Sequence, residues 1–145
     1  MKDVQILVVE DNDTDAELTM RALKKAQVPS KAFHVKDGVE ALDFLFATGA
    51  YSHRQIENTP SVIMLDLKMP KVNGFDVLKI IKGDKRTLMI PVVVYTSSRQ
   101  LEDIKKCTKL GVNSYVVKPV ESDKFSKVVM ELGNYWLSIN QTLKL

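Results

Sequence analysis

The sequence predicts an α/β protein: a single domain built on a doubly wound parallel sheet with strand order 2-1-3-4-5. Three observations predict it. Short apolar runs recur at 4–9, 31–36, 60–65, 91–95 and 114–117, and the segments between them carry apolar residues at helical spacing. The first, third and fourth runs are apolar at successive positions, as strands are when helices cover both faces of a parallel sheet. Right-handed crossovers leave few ways to connect such units. In the order 2-1-3-4-5 the ends of strands 1 and 3 meet at the switch point, where folds of this kind bind ligands.

The helices are expected at Asp13 to Gln27, Gly38 to Ala47, Gly74 to Lys82, Arg99 to Leu110 and Glu121 to Ile139. In the last, Phe125, Val128, Val129, Leu132, Trp136 and Ile139 form a continuous stripe that should cover one face of the sheet. Thr48 to Pro60 is too long and polar for a compact connection and reads as a surface loop. The domain is expected to fill residues 1–145, with a core at 3–138 and a frayed tail at 140–145.

Composition narrows the function. A chain of 145 residues with 45% hydrophobic residues buries one core and not two. Its charge of +3 comes from scattered lysines, with no basic stripe interleaved with aromatics, so direct nucleic-acid binding is not expected. The apolar run near the N-terminus spans six residues, includes Gln5 and ends in acids, which fits neither a membrane span nor a signal peptide. A cytoplasmic protein is expected. The single cysteine, Cys107, falls in a helical pattern and reads as a small packed residue rather than a nucleophile.

The chemistry gathers at the strand ends. Val4 to Val9 breaks into Glu10-Asp11-Asn12-Asp13, and Val62 to Leu65 breaks into Asp66. Carboxylates brought together repel one another, so such a site makes sense when a hard divalent cation or a basic side chain joins it. Asp66, exposed at a strand tip, could attack phosphorus to form an acyl phosphate. Mg²⁺ prefers octahedral oxygen donors and keeps several waters, so Glu10, Asp11, Asp66 and one main-chain carbonyl would suit it. The turn behind Asp66 carries Pro70 and Gly74, which shape its path into the next helix.

The fourth strand brings the hydroxyl of Thr96 to the same edge, and the fifth brings the ammonium of Lys118, whose burial the acids make tolerable. Lys118 precedes Pro119 and so invites a cis peptide that would aim it over the strand ends. Taken singly, Asp11 or Asp13 could be no more than a helix cap, Thr96 a turn residue, Lys118 a solvated lysine and Tyr115 a half-buried strand aromatic. Their meeting at one edge favours a shared function.

With these positions in place, the chain resembles the receiver domain of two-component response regulators, the CheY-like family with a flavodoxin-like fold. The resemblance covers residues 3–138. It implies that Asp66 accepts phosphate from a sensor histidine kinase, that Glu10, Asp11, Asp66 and the main-chain carbonyl of Lys68 bind Mg²⁺, and that Lys118 is the family's lysine. It further implies that Thr96 is the switch hydroxyl and Tyr115 the aromatic that changes rotamer. Glu10 stands where aspartate is commoner and keeps the charge.

A closer likeness is to the small stand-alone regulators that partner bacterial phytochromes, which share the 48–60 loop and an aromatic-rich end like Tyr135-Trp136-Leu137-Ser138. This implies a phytochrome-type kinase, a downstream protein target reached without a DNA-binding output domain, and a homodimer through the fourth and fifth helices and last strand. The domain would assist its own phosphotransfer and slow autodephosphorylation, tuned by Lys68 and Ser98, without being an enzyme in its own right.

Three rival readings are weaker. A Mg²⁺-dependent phosphatase of the haloacid dehalogenase kind needs a second acid two residues past its nucleophile, where this chain has Lys68. A flavin-binding flavodoxin needs hydroxyls and amides after strand 1, where Glu10-Asp11-Asn12-Asp13 would repel phosphate. An interaction module independent of phosphorylation would not need the five-part site.

Overall fold

A computed structural model of the chain describes residues 4–26 and 31–141. The elements run β1 (Ile6–Val9), α1 (Asp13–Lys25), β2 (Ala32–Val35), α2 (Gly38–Phe46), a 3₁₀ turn (Gly49–Tyr51), β3 (Val62–Leu65) and α3 (Gly74–Gly83). They continue with β4 (Val92–Thr96), α4 (Leu101–Lys109), β5 (Ser114–Val117), α5 (Ser122–Asn134) and a π-helical turn (Tyr135–Ile139). The sheet is parallel throughout, in the expected order β2-β1-β3-β4-β5. The expected limits of the core at residue 3, the first helix at Gln27 and the tail at 142–145 lie outside the described residues.

Every residue of β1, β3 and β4 is buried. The pleat sends Ile6 and Val8 of β1 to a layer with Ala22, Leu23, Phe125 and Val129, under α1 and α5. Leu7 and Val9 go to the opposite layer with Phe44, Val77, Leu78, Ile81 and Cys107, under α2, α3 and α4. The buried Cys107 thiol, pushed up to about 11 by burial and by Asp103, is a packing group and not a nucleophile.

One expectation needs an addition and two need correction. First, the 48–60 segment is the expected surface loop, mostly exposed, but it is also anchored, because Tyr51 inserts into the core beside Phe33 and Phe44 at centroid distances of 6.0 and 5.2 Å. Its hydroxyl donates to Glu40 at 2.6 Å. Arg54 lies 3.7 Å over the Phe44 ring and donates to the main-chain carbonyls of Phe44 and Asn58. Each aromatic contact adds roughly 0.5–1.5 kcal/mol beyond its area, so the strap is held to α2.

Second, the stripe on the last helix does not reach Ile139, which is 58% exposed. The π-helical turn, closed by Asn140 N donating to Tyr135 O at 2.6 Å, changes the angular step. Trp136 and Leu137 pack against the core. Third, no peptide among the described residues is cis, so Lys118–Pro119 is trans. Lys118 reaches the acids through side-chain length from a backbone held by its own N–H, which donates to Thr96 O at 2.7 Å.

Candidate functional site

Beyond Val9 the chain leaves the sheet and enters α1 through Glu10, Asp11 and Asn12. The helix cap is Asn12, whose side chain accepts from Asp15 N at 2.9 Å, and not Asp11 or Asp13. Asp11 is therefore released from capping and lies exposed. Glu10 is buried: its Oε2 accepts from Asn12 N at 3.1 Å, and its main-chain carbonyl accepts from His34 Nε2 at 2.7 Å. Because a carbonyl only accepts, His34 carries a proton on Nε2.

Asp66 follows β3, with its main-chain N donating to Val9 O at 3.1 Å, so the acids of β1 and β3 are locked in register. An exposed strand tip was expected, yet Asp66 is only 9% exposed. The buried Leu67 and Met69 fold the following turn back on the core, and Lys118 lies against the carboxylate. Leu67 N donates to Asp66 Oδ1 at 2.8 Å, which leaves Oδ2 for Lys118. At Gly74 an added Cβ would stand 2.2 Å from Asp66 O, so only glycine lets α3 start this close.

Lys118, 8% exposed, joins the set. Its Nζ donates to Glu10 Oε1 at 2.6 Å, Asp15 Oδ2 at 2.9 Å and Asp66 Oδ2 at 3.3 Å. Burial pushes the Glu10 carboxyl up to about 7, Asp66 adds to the rise, and Lys118 and the Asn12 N–H pull back without reversing it. At Lys118 burial pulls the other way, but Asp66, Glu10 and Asp15 outweigh it and hold the ammonium above its ordinary range. The attraction of the pair thus prevails at the lysine and is outweighed at Glu10.

Glu10, Asp11 and Asp66 each offer an oxygen within 4.8 Å of the others. Three hard oxygen donors, with Asp11 open to water, fit a cation of the Mg²⁺ class, which takes few protein carboxylates and keeps its waters. The raised affinity of Glu10 for a proton comes first from burial and then from Asp66, and either a proton or a cation relieves a carboxylate held in such a place.

Thr96 ends β4 fully buried, and its Oγ accepts from Ser98 N at 3.4 Å. Ser98 O accepts from the Tyr115 hydroxyl at 3.0 Å, and Ser98 Oγ donates to Asp103 at 2.5 Å. The Ser98 hydroxyl is thereby committed to α4. Lys68 lies in the turn after Asp66 and is exposed. The structure thus gathers Glu10, Asp11, Asp66 and Lys118, and links Thr96 to Tyr115 through Ser98.

Three neighbours escaped the sequence reading: Asp15, His34 and Asp103. Asp15 and Asp103 stand in the first turns of their helices, where acids are common for reasons of the helix dipole alone. The available signal for Asp15 was its place one turn beyond Asp11, on the residues leading away from the strand end.

Residues 6–130 match the response regulator receiver domain family. The chain belongs to that family. The receiver is 36% identical to the probable methanogenesis regulatory protein FilR2 of Methanothrix harundinacea, over 94% of this chain and 86% of that one. It is similar to the phosphorylated cyanobacterial phytochrome response regulator RcpA, with 35% identity, a TM-score of 0.89, and coverage of 97% of this chain and 99% of RcpA. It is also similar to the Mn²⁺-bound form of Rcp1 of Synechocystis, with 33% identity, a TM-score of 0.87, and coverage of 95% and 97%. This receiver carries its own acidic cluster, and among the described residues no helix is long and apolar enough to cross a membrane.

Proposed function

We propose that this receiver accepts a phosphoryl group on Asp66 from the phosphohistidine of a sensor histidine kinase and converts it into a changed protein-binding surface. The observation that carries this reading is the bonding of Lys118 to acids from both strand ends, beside a cluster fit for a divalent cation. An Asp66 oxygen attacks phosphorus, a P–O bond forms and the P–N bond breaks. The electron pair returns to the donor imidazole.

Mg²⁺, held by Glu10, Asp11, Asp66 and the Lys68 carbonyl, would neutralise charge on the phosphoryl oxygens. Lys118 donates to one of those oxygens, and the Thr96 hydroxyl turns to donate to another. Tyr115 already holds the loop that follows Thr96 through Ser98. Added negative charge at Asp66 therefore biases a unit that extends to α4.

The kinase is of the phytochrome type, a reading supported by the likeness to RcpA over nearly the full length of both chains. The receiver works in the cytoplasm as one domain spanning residues 1–145. It slowly loses its phosphoryl group to water and reaches a downstream protein by direct contact. Homodimerisation through α4, β5 and α5 belongs to the same reading.

Incubation with a small phosphodonor and Mg²⁺, followed by intact mass measurement, tests the core of it. Wild type gains one phosphoryl group and Asp66→Asn gains none; an equal gain in both moves the acceptor elsewhere. Sedimentation with and without an acyl-phosphate mimic tests the dimer, and a monomer in both states rejects it.

A further inference from the structure

The Lys118 ammonium has three N–H donors, and each is matched to a different carboxylate: Glu10 at 2.6 Å, Asp15 at 2.9 Å and Asp66 at 3.3 Å. Glu10 and Asp66 also belong to the cluster fit for a divalent cation, whereas Asp15 does not. An ammonium and a divalent cation compete for the same oxygens. Left with only Glu10 and Asp66, Lys118 would settle where the cation belongs.

Asp15 stands apart from that contest. It sits on the first turn of α1 with its own N–H fixed to the Asn12 cap. Its side chain is 30% exposed, against 7% for Lys118 and 5% for Glu10. An open cleft of about 290 Å³ is lined by Asp15, Lys118, Ser97 and Pro119 but by neither Glu10 nor Asp66. Asp15 therefore holds Lys118 from the cleft side, away from the cation cluster.

We propose that Asp15 is a positioning residue for phosphoryl acceptance, the carboxylate that keeps Lys118 on the cleft side when Glu10 and Asp66 turn to the divalent cation. The inference rests on the reading of Asp66 as a cation-assisted phosphoacceptor. Lys118 then meets the incoming phosphoryl group from its own side while the cation position stays clear. Removing Asp15 makes lysine and cation rivals.

Mg²⁺ titration of the full chain, followed by calorimetry, tests this on wild type, Asp15→Asn, Asp15→Glu, Lys118→Met and the Asp15→Asn, Lys118→Met double variant. Asp15→Asn is expected to weaken Mg²⁺ binding about fivefold or more, with Asp15→Glu recovering most of the loss. In the Lys118→Met background Asp15→Asn should change affinity less than about twofold, because no ammonium remains to be held.

Equal weakening in both backgrounds would overturn the proposal in favour of a simple through-space charge effect. Unchanged affinity in Asp15→Asn would overturn it outright. If wild type binds no Mg²⁺ at all, the underlying reading of the site fails instead. A second readout is the Lys118 ammonium signal in ¹⁵N NMR with Mg²⁺ present. Protected from exchange in wild type, it should be lost in Asp15→Asn and retained in Asp15→Glu, and its retention in Asp15→Asn counts against the proposal even if one variant proves less stable.

Discussion

Tyr115 donates its hydroxyl proton to the main-chain carbonyl of Ser98 at 3.0 Å, and Ser98 in turn donates its own to Asp103. Edge strand β5, the β4–α4 loop and the first turn of α4 thus form one hydrogen-bonded unit. Thr96, which ends β4, abuts it through Ser98 N. In the proposed switch a displacement of the Thr96 hydroxyl toward Asp66 would be felt in α4, because the intervening loop is tied at both ends.

Tyr115→Phe removes only the hydroxyl. A hydrogen bond of this kind contributes about 1 kcal/mol, so amide exchange across residues 97–100 should accelerate about fivefold. Phosphorylation of Asp66 should proceed nearly as before, since the Tyr115 hydroxyl bonds to Ser98 O while the Lys118 ammonium bonds to Glu10, Asp15 and Asp66. Unaltered exchange in the loop would show that ring packing alone, and not the hydroxyl, holds it.

Stability of the metal-free receiver should fall as pH rises from about 4.5 to about 7 and level off above. Unfolded, Glu10 loses its proton near 4.5, whereas in the fold burial and Asp66 keep it protonated to about 7. Between those values the folded state binds more protons than the unfolded one, so unfolding becomes easier with rising pH. The contribution is roughly 1–3 kcal/mol. Urea unfolding of wild type and Glu10→Gln at pH 5 and pH 8 isolates it, and parallel pH profiles for the two would reject it. Saturating Mg²⁺ should flatten the wild-type profile.

What the sequence revealed and what it concealed follow from the range of the interactions. The strands β1, β3 and β4 were legible because burial on both faces leaves an unbroken apolar run, and Glu10 and Asp66 stood out because each ends such a run. Asp15 did not, because its partner Lys118 lies 103 residues away and the pairing depends on how α1 lies against the end of β5. Tyr51 and Arg54 sit in a stretch whose polar composition resembles a solvated loop. Their anchor is the buried face of α2, which only packing identifies. The π-helical turn after Asn134 has no local signature, and a strict 3.6-residue step carried the apolar stripe two residues too far, to Ile139 instead of Leu137.

Lys68 is exposed two residues past Asp66, where a long cationic side chain can occupy the path of water to an acyl phosphate. Lys68→Ala should shorten the lifetime of the phosphorylated receiver, with little change in the rate of its formation. Decay of the phosphorylated mass after removal of the phosphodonor measures this. An unchanged lifetime would place the barrier to hydrolysis elsewhere.

Gly74 and Gly83 begin and end the same helix, α3, and they should respond oppositely to alanine. At Gly74 the new Cβ would stand 2.2 Å from Asp66 O and 2.6 Å from Leu67 Cα, both backbone atoms that no side-chain rotation can move. The start of α3 and the turn holding Asp66 must then separate, at about 1–3 kcal/mol. In the proposed attack an Asp66 oxygen must lie in line with phosphorus, so a shift of about 1 Å there should slow phosphorylation by about a hundredfold. At Gly83 an added Cβ meets nothing within 4 Å, so alanine should stabilise the helix by about 0.5–1 kcal/mol. Urea unfolding and phosphorylation rates of the two variants, measured side by side, separate a local clash at Asp66 from a general effect on α3. Equal behaviour of the two would remove close backbone approach as the reason for glycine at position 74.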